Sequence, residues 1–329
     1  MKLSQQFTTD DYRSKHILVT GSSGYLANNL ISFLKDVECK ITRVSKSGAI
    51  LSLIEGKCKV EDIITDIEDE ITWQQILPKV DIIMHFAAQT NVAEADANPI
   101  SDRNHNVLPL LTLLECCRKF GHKPTILLAS TVSIFGLPEK LPVDESFPDQ
   151  PLSMYEIHKL QCEQYLNYYS YHGYIQGASL RLANVYGAGV KASLANRGII
   201  NVMAKKAIHG EPLTIYDNGE FYRDYIYIDD VSRAFLLAGL QPDNVNGKHF
   251  IIANSHAYNL NQAAELISAE VQKRLKKSID IQHVDIPESA SILDKRNFQG
   301  NITAFSNATG WKPEVDFEQG IALTVDALL

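Results

Sequence analysis

His16-Ile-Leu-Val-Thr-Gly-Ser-Ser-Gly-Tyr-Leu-Ala27 decides the fold of this chain. His16 to Thr20 is short, apolar and β-branched, the pattern of a buried strand. Gly21-Ser-Ser-Gly24 breaks it, and the run that follows sets Leu26, Leu30, Phe33 and Leu34 on one helical face. A strand, a glycine turn and a helix in this order make a dinucleotide-phosphate site. Gly21 allows the tight turn, Gly24 lets backbone approach a pyrophosphate, and Ala27 lets helix and strand pack closely. The helix N-terminus then points unpaired N–H groups at the phosphates. Gly21, Ser23, Gly24, Tyr25 and Leu26 are the candidate contacts. The spacing is G-x-x-G-x-x-A rather than G-x-G-x-x-G, so the turn needs support from the rest of the chain.

That support is a strand–helix alternation. The spacing predicts strands over 39–45, 60–66, 80–88, 125–130 and 178–183, and helices over 73–77, 99–120 and 153–171. The expected fold is a Rossmann-like, doubly wound parallel sheet over residues 1–187. A smaller substrate-binding lobe is expected over residues 188–329, with some interleaving of the two. The chain has 329 residues, a 45% apolar fraction and a net charge of −8. Such a charge argues against nucleic acid or an anionic membrane as the main partner. No apolar run is long enough to span a bilayer, and residues 1–14 carry no signal core. Five scattered cysteines without a C-x-x-C read as reduced thiols. The expectation is a soluble, cytoplasmic protein without a metal site.

The end of the second strand selects the cofactor. An acid about 20 residues beyond the glycines would bind a ribose 2′-hydroxyl. Residues 41–47 contain none, and offer Arg43, Ser45 and Lys46 instead, which suit the 2′-phosphate of NADP. NADP is therefore the expected cofactor, with NAD the alternative. Asp66 and Ile67 are placed to cover the adenine, and Phe86, Ala87 and Ala88 to lie beside the cofactor. His85 reads as a packing residue and Asn106 as a supporting one.

Tyr155 and Lys159 lie four apart on a helix and share a face. An ammonium beside a phenol favours the phenolate, so this tyrosine suits proton exchange with an alcohol or ketone. Thr131, at the end of the neighbouring strand, is placed to hydrogen-bond the same substrate oxygen.

Taken together, these motifs resemble the extended short-chain dehydrogenase/reductases that modify nucleotide sugars, the NAD-dependent epimerase/dehydratase group. The resemblance covers nearly the whole chain. It rests on Thr20-Gly-Ser-Ser-Gly-Tyr-Leu-Ala27, Asp66-Ile67, His85-Phe-Ala-Ala88, Ser130-Thr-Val-Ser-Ile-Phe-Gly136, Tyr155 with Lys159, Arg181-Leu-Ala-Asn-Val-Tyr-Gly187, Arg223-Asp-Tyr-Ile-Tyr-Ile-Asp-Asp-Val231 and Gly310-Trp. It implies Tyr155 as acid/base, Lys159 as its partner, which also holds the nicotinamide ribose, and Thr131 as the third catalytic residue. It implies Asn184, Arg223 and Arg296 as holders of the nucleotide diphosphate, a role that suits two guanidiniums and an amide. It also implies a homodimer formed through the helices at 99–120 and 153–171.

Two departures refine the expectation. The dehydratases of this group carry Asp-Glu after the catalytic threonine, where this chain has Val132 and Ser133, so dehydration is not expected. The acid-free second strand tilts the reading towards a 4-keto-sugar reductase, with hydride transfer at a sugar carbon, C4 by expectation. A nucleotide-sugar epimerase with tightly bound cofactor is the alternative, and a non-catalytic dinucleotide sensor the minor one.

Overall fold

The computed structural model describes residues 8–46, 55–189, 198–285 and 292–329. Its first part runs β1 (His16–Thr20), α1 (Tyr25–Leu34), β2 (Lys40–Ser45), β3 (Lys59–Ile64), α2 (Glu70–Ile76), β4 (Ile82–His85), α3 (Val92–Ala97), α4 (Pro99–Asn106), α5 (Leu108–Phe120), β5 (Thr125–Thr131), α6 (Met154–Tyr171) and β6 (Gln176–Leu182). It continues β7 (Asn184–Tyr186), α7 (Ile199–His209), β8 (Leu213–Tyr216), β9 (Arg223–Tyr227), α8 (Ile228–Leu240), α9 (Pro242–Val245), β10 (Lys248–Ile252), β11 (Ala257–Tyr258), α10 (Leu260–Leu275), β12 (Ile281–Val284), α11 (Thr303–Thr309) and α12 (Phe317–Leu328).

The main sheet has seven parallel strands in the order β10-β6-β5-β4-β1-β2-β3. The order reverses beside β1, and ligands of open α/β sheets bind at the carboxyl ends of strands at that point. Both faces are apolar because both are covered. Ile17, Val19, Ile82 and Met84 pack towards α1 and α8, while Leu18, Ile83, Ile126 and Leu128 pack on the face carrying α5 and α6. A third core joins α7, α10 and α12 around β8 and β9, centred on Ile215, Tyr225 and Phe317.

Three local features depart from the sequence reading. The expected helix over 99–120 is two, α4 and α5, separated at Val107. Pro109 has no N–H to return to the carbonyl four residues back, which interrupts the ladder. The expected helix over 73–77 begins earlier, at Glu70, because the Asp69 side chain accepts the Ile71 N–H at 3.2 Å and caps it. The strand expected over 80–88 ends at His85, so Phe86, Ala87 and Ala88 belong to the loop at its carboxyl end. β10 lies in the second half of the chain yet completes the main sheet beside β6.

Candidate active site

The glycine turn takes the conformation its residues require. Gly21 has φ +62°, and a Cβ there would lie 2.7 Å from the Ala87 nitrogen and 2.8 Å from its Cα. Only glycine lets β1 and the end of β4 approach so closely. A Cβ on Gly24 would lie 2.9 Å from the Gly21 carbonyl oxygen. The Gly24 N–H closes the turn onto that carbonyl at 2.8 Å. Asn28, which the sequence reading did not single out, donates from its side chain to the Ser22 carbonyl at 3.0 Å and the Gly24 carbonyl at 2.7 Å. Gly24 is the N-cap of α1 and has no side chain to cap it, so the first-turn amides are open to an anion.

Beside this turn lies a cleft of about 320 Å³. Gly21, Ser23, Ser45, Lys46, Asp66, Ile67, Ala87 and Ala88 line it, which unites eight of the expected cofactor contacts. Glu68, Gln89 and His105 line it as well, and sequence reasoning missed them. Lys46 Nζ lies 2.7 Å from Asp66 Oδ2 and 3.6 Å from Glu68 Oε1. These bonds raise the lysine above its usual range, and that lysine holds Asp66 below the usual carboxylate range.

Four expected cofactor contacts go elsewhere, and the first, Leu26, packs against two apolar cores. Arg43 is not among the cleft-lining residues. Its guanidinium grips Asp62 on β3 at two points, Nε–Oδ1 2.5 Å and Nη2–Oδ2 2.6 Å, because Arg43 and Asp62 are direct neighbours in the parallel register. Phe86 packs against Phe235 at 4.7 Å between ring centroids. Tyr25 donates its hydroxyl to the Gly187 carbonyl at 2.7 Å, and burial raises its pKa. Ser47, the last residue of the acid-free stretch, lies outside the described residues.

Thr131 ends β5, and its Oγ1 accepts the Ser133 N–H at 3.1 Å and lies 2.8 Å from Ser133 Oγ. Tyr155 and Lys159 are on α6, which packs on β5 and on the 3₁₀ turn at Val132–Phe135. Ser153 caps the helix by accepting the Glu156 N–H at 3.3 Å. Tyr155 is half-buried and Lys159 buried. Lys159 Nζ donates to the Ala129 carbonyl at 2.8 Å, and burial pulls its pKa below the usual lysine range. His85 does pack in the sheet. The Thr20 hydroxyl accepts the Ala87 N–H at 3.1 Å and also lies 3.1 Å from His85 Nδ1. Burial first, and Lys159 second, push the His85 pKa down to about 3, so the ring is neutral.

Asn106 supports the site as expected. Its Oδ1 accepts the Gln89 N–H at 2.8 Å and its Nδ2 donates to the Gln89 carbonyl at 3.1 Å, fixing the loop after β4. Behind it, Asp102 Oδ2 lies 2.6 Å from His158 Nδ1, a buried pair that sequence reasoning missed.

The expected diphosphate holders divide. Asn184 on β7 and Arg223 on β9 are in adjacent parallel strands, with Asn184 opposite Tyr225. Asn184 is exposed, and Arg223 is half-buried with Nη1 donating to the Tyr222 carbonyl at 3.1 Å. Arg296 is buried, and its Nη2 donates to Glu156 Oε1 at 2.8 Å, one residue after Tyr155.

The fold and site define a dinucleotide-binding α/β protein with a Tyr-Lys helix beside a threonine-ended strand. Residues 17–253 match the model of the NAD dependent epimerase/dehydratase family, and the chain belongs to that family. A UDP-glucose 4-epimerase of Mycolicibacterium smegmatis is 27% identical over 316 residues, covering 94% of this chain and 97% of that protein. The UDP-glucuronate 4-epimerase 1 of Arabidopsis thaliana is 27% identical, covering 93% of this chain and 74% of that protein. Among solved structures, the UDP-glucose 4-epimerase of Thermotoga maritima with UDP-glucose superposes with a TM-score of 0.83 at 27% identity, covering 95% of this chain and 98% of that one. No helix among the described residues is long and apolar enough to cross a membrane.

Proposed function

We propose that the protein is a cytoplasmic nucleotide-sugar 4-epimerase that acts on a UDP-linked hexose and retains NAD. The observation that carries this reading is the juxtaposition of Tyr155 and Lys159 on α6 with the end of β5 that bears Thr131, at the switch point of the sheet. The epimerase relatives support epimerisation over the net reduction towards which the sequence leans.

The residues present fit a dinucleotide. A side chain at Gly21 would fill the space that close backbone approach leaves, and the open α1 N-terminus beside it suits a pyrophosphate. Gly21, Ser23, Ala87 and Ala88 would hold its phosphate end, and Ser45, Lys46, Asp66 and Ile67 its adenosine end. When bound, NAD supplies an acceptor, and then a donor, of hydride. Tyr155 takes the proton of the C4 hydroxyl as the carbon is oxidised, then returns it once hydride reaches the other face. Lys159, one helical turn away, stabilises negative charge on the tyrosine oxygen. Thr131 orients the C4 oxygen. Asn184 and Arg223 would hold the diphosphate, and Arg296, paired with Glu156, is the third candidate. Outward apolar side chains on α6, among them Met154, Ile157, Tyr168 and Tyr171, support pairing of two copies through this helix.

The test is direct. NAD-loaded protein incubated with UDP-glucose is expected to yield UDP-galactose with no net change in NADH absorbance. Stoichiometric loss of reduced cofactor on a nucleotide-4-keto-6-deoxyhexose, without epimerisation, would establish the reductase instead. NAD binding with no turnover across a panel of nucleotide sugars would establish the sensor.

The cofactor preference follows from the engaged cations. The expectation of NADP rested on Arg43, Ser45 and Lys46, yet carboxylates occupy Arg43 and Lys46, and Asp66 and Glu68 at the cleft would repel a 2′-phosphate. NAD is expected to bind more tightly than NADP, and Arg43→Ala is expected to leave the ratio of the two affinities unchanged. Calorimetric titration of both cofactors checks it, and a loss of NADP affinity alone in Arg43→Ala would return the phosphate site to that residue.

A further inference from the structure

Two hydrogen bonds, backed by a buried ion pair, tie the helix that bears Lys159 to the strand that ends in Thr131. β5 presents Ala129, Ser130 and Thr131 in succession. α6 presents Tyr155, Lys159 and Glu163 at successive intervals of four, along one stripe. The Ala129 carbonyl takes the Lys159 ammonium, and the Ser130 hydroxyl donates to Glu163 Oε1. Helix and strand are thus bonded at the two residues immediately before Thr131, by the two stripe residues that follow Tyr155.

Arg181 secures Glu163. It is the register partner of Ser130 on β6, and it is fully buried. Its Nε lies 3.1 Å from Oε1 and 3.2 Å from Oε2 of Glu163, and its Nη2 donates to Oε2 at 2.7 Å. Its Nη1 reaches Asp149 Oδ1 at 2.7 Å, and the guanidinium sits 4.7 Å over the Phe135 ring. A fork held this way fixes the carboxylate in both position and orientation.

The cluster also bears on charge. The charged and titratable groups facing Lys159 are Asp102 from α4, His85 from β4, and Tyr155, Cys162 and Glu163 from its own helix. His85 is neutral, and burial disfavours the lysine cation, while Cys162, then Glu163 and Asp102, favour it.

We propose that Glu163 is a positioning residue for the reaction, one that holds the Lys159 face of α6 against β5 and so sets Thr131 against Tyr155. The inference rests on the catalytic reading of Tyr155 and Lys159 given above. Glu163→Gln keeps the size of the side chain and removes its charge. It is expected to lower kcat by about tenfold or more, as small misplacements at a reacting centre do. The KM for UDP-glucose and the NAD affinity are expected to stay within about twofold. The high-pH limb of kcat is expected to move to lower pH, because Lys159 loses its proton more readily once the carboxylate is neutral. Glu163→Asp keeps the charge but shortens the reach, so it is expected to keep the limb in place and still lose kcat. Ser130→Ala removes only the hydroxyl bond, and is expected to lower kcat severalfold with the limb unmoved. It decides the matter if Glu163→Gln does not fold. Wild-type kcat in these variants, or a loss confined to KM with an unmoved limb, would leave a purely structural ion pair and overturn the proposal. Tyr155→Phe separates the two readings. Full activity in that variant sinks the catalytic assignment, whereas an inactive Tyr155→Phe beside a normal Glu163→Gln sinks only this one.

Discussion

Tyr155→Phe is expected to lower turnover of UDP-glucose by roughly 10²–10⁴-fold while NAD affinity and thermal stability hold, the usual contribution of a general acid–base group. The ring remains and only the hydroxyl is lost, so packing on α6 is preserved. Tyr155 is half-buried on a helix whose first turn is capped by Ser153 and whose next turn is anchored by the Lys159–Ala129 bond. Removing one oxygen therefore removes the proton carrier and leaves the frame. Steady-state kinetics beside NAD titration provide the measurement. Activity within a few-fold of wild type would assign the proton to another group.

Gly21→Ala is expected to cost roughly 2–5 kcal/mol of stability and to abolish tight NAD binding. Two physical effects add. An L-residue at φ +62° pays ~1–2 kcal/mol for the left-handed conformation. The new methyl group would then stand 2.7–2.9 Å from backbone atoms of Phe86 and Ala87, and overpacking of this kind costs ~1–3 kcal/mol. Backbone cannot swing away as a flexible side chain would. Relief would require separating the turn from the end of β4, and both line the cleft where the proposed phosphate contacts lie. Urea unfolding of the apo protein measures the first effect and NAD titration the second. A variant with unchanged midpoint and unchanged affinity would show that the turn tolerates a side chain and that the cofactor does not depend on the close approach.

What the sequence by itself determined is what depends on near neighbours. The alternation of buried strands and helices is legible as periodicity, and the glycine turn as a break between them. Tyr155 and Lys159 share a face because four residues make about one helical turn. The cleft residues around Gly21, Asp66 and Ala87 are legible because each follows a strand whose carboxyl end must face the switch point. The tertiary structure alone decided the partners of buried charges. Arg43 reads as a phosphate ligand in a short basic stretch, but a residue 19 positions away neutralises it across a strand pair. Arg296 reads as an independent diphosphate holder, but it meets Glu156 across 140 residues. Glu163 carries no signal of its own until β5 and β6 bring Ser130 and Arg181 to it. The physical reason is that a buried charge must find an opposite charge or fixed dipoles, and which one it finds is settled by strand order and register, quantities that no window of sequence contains.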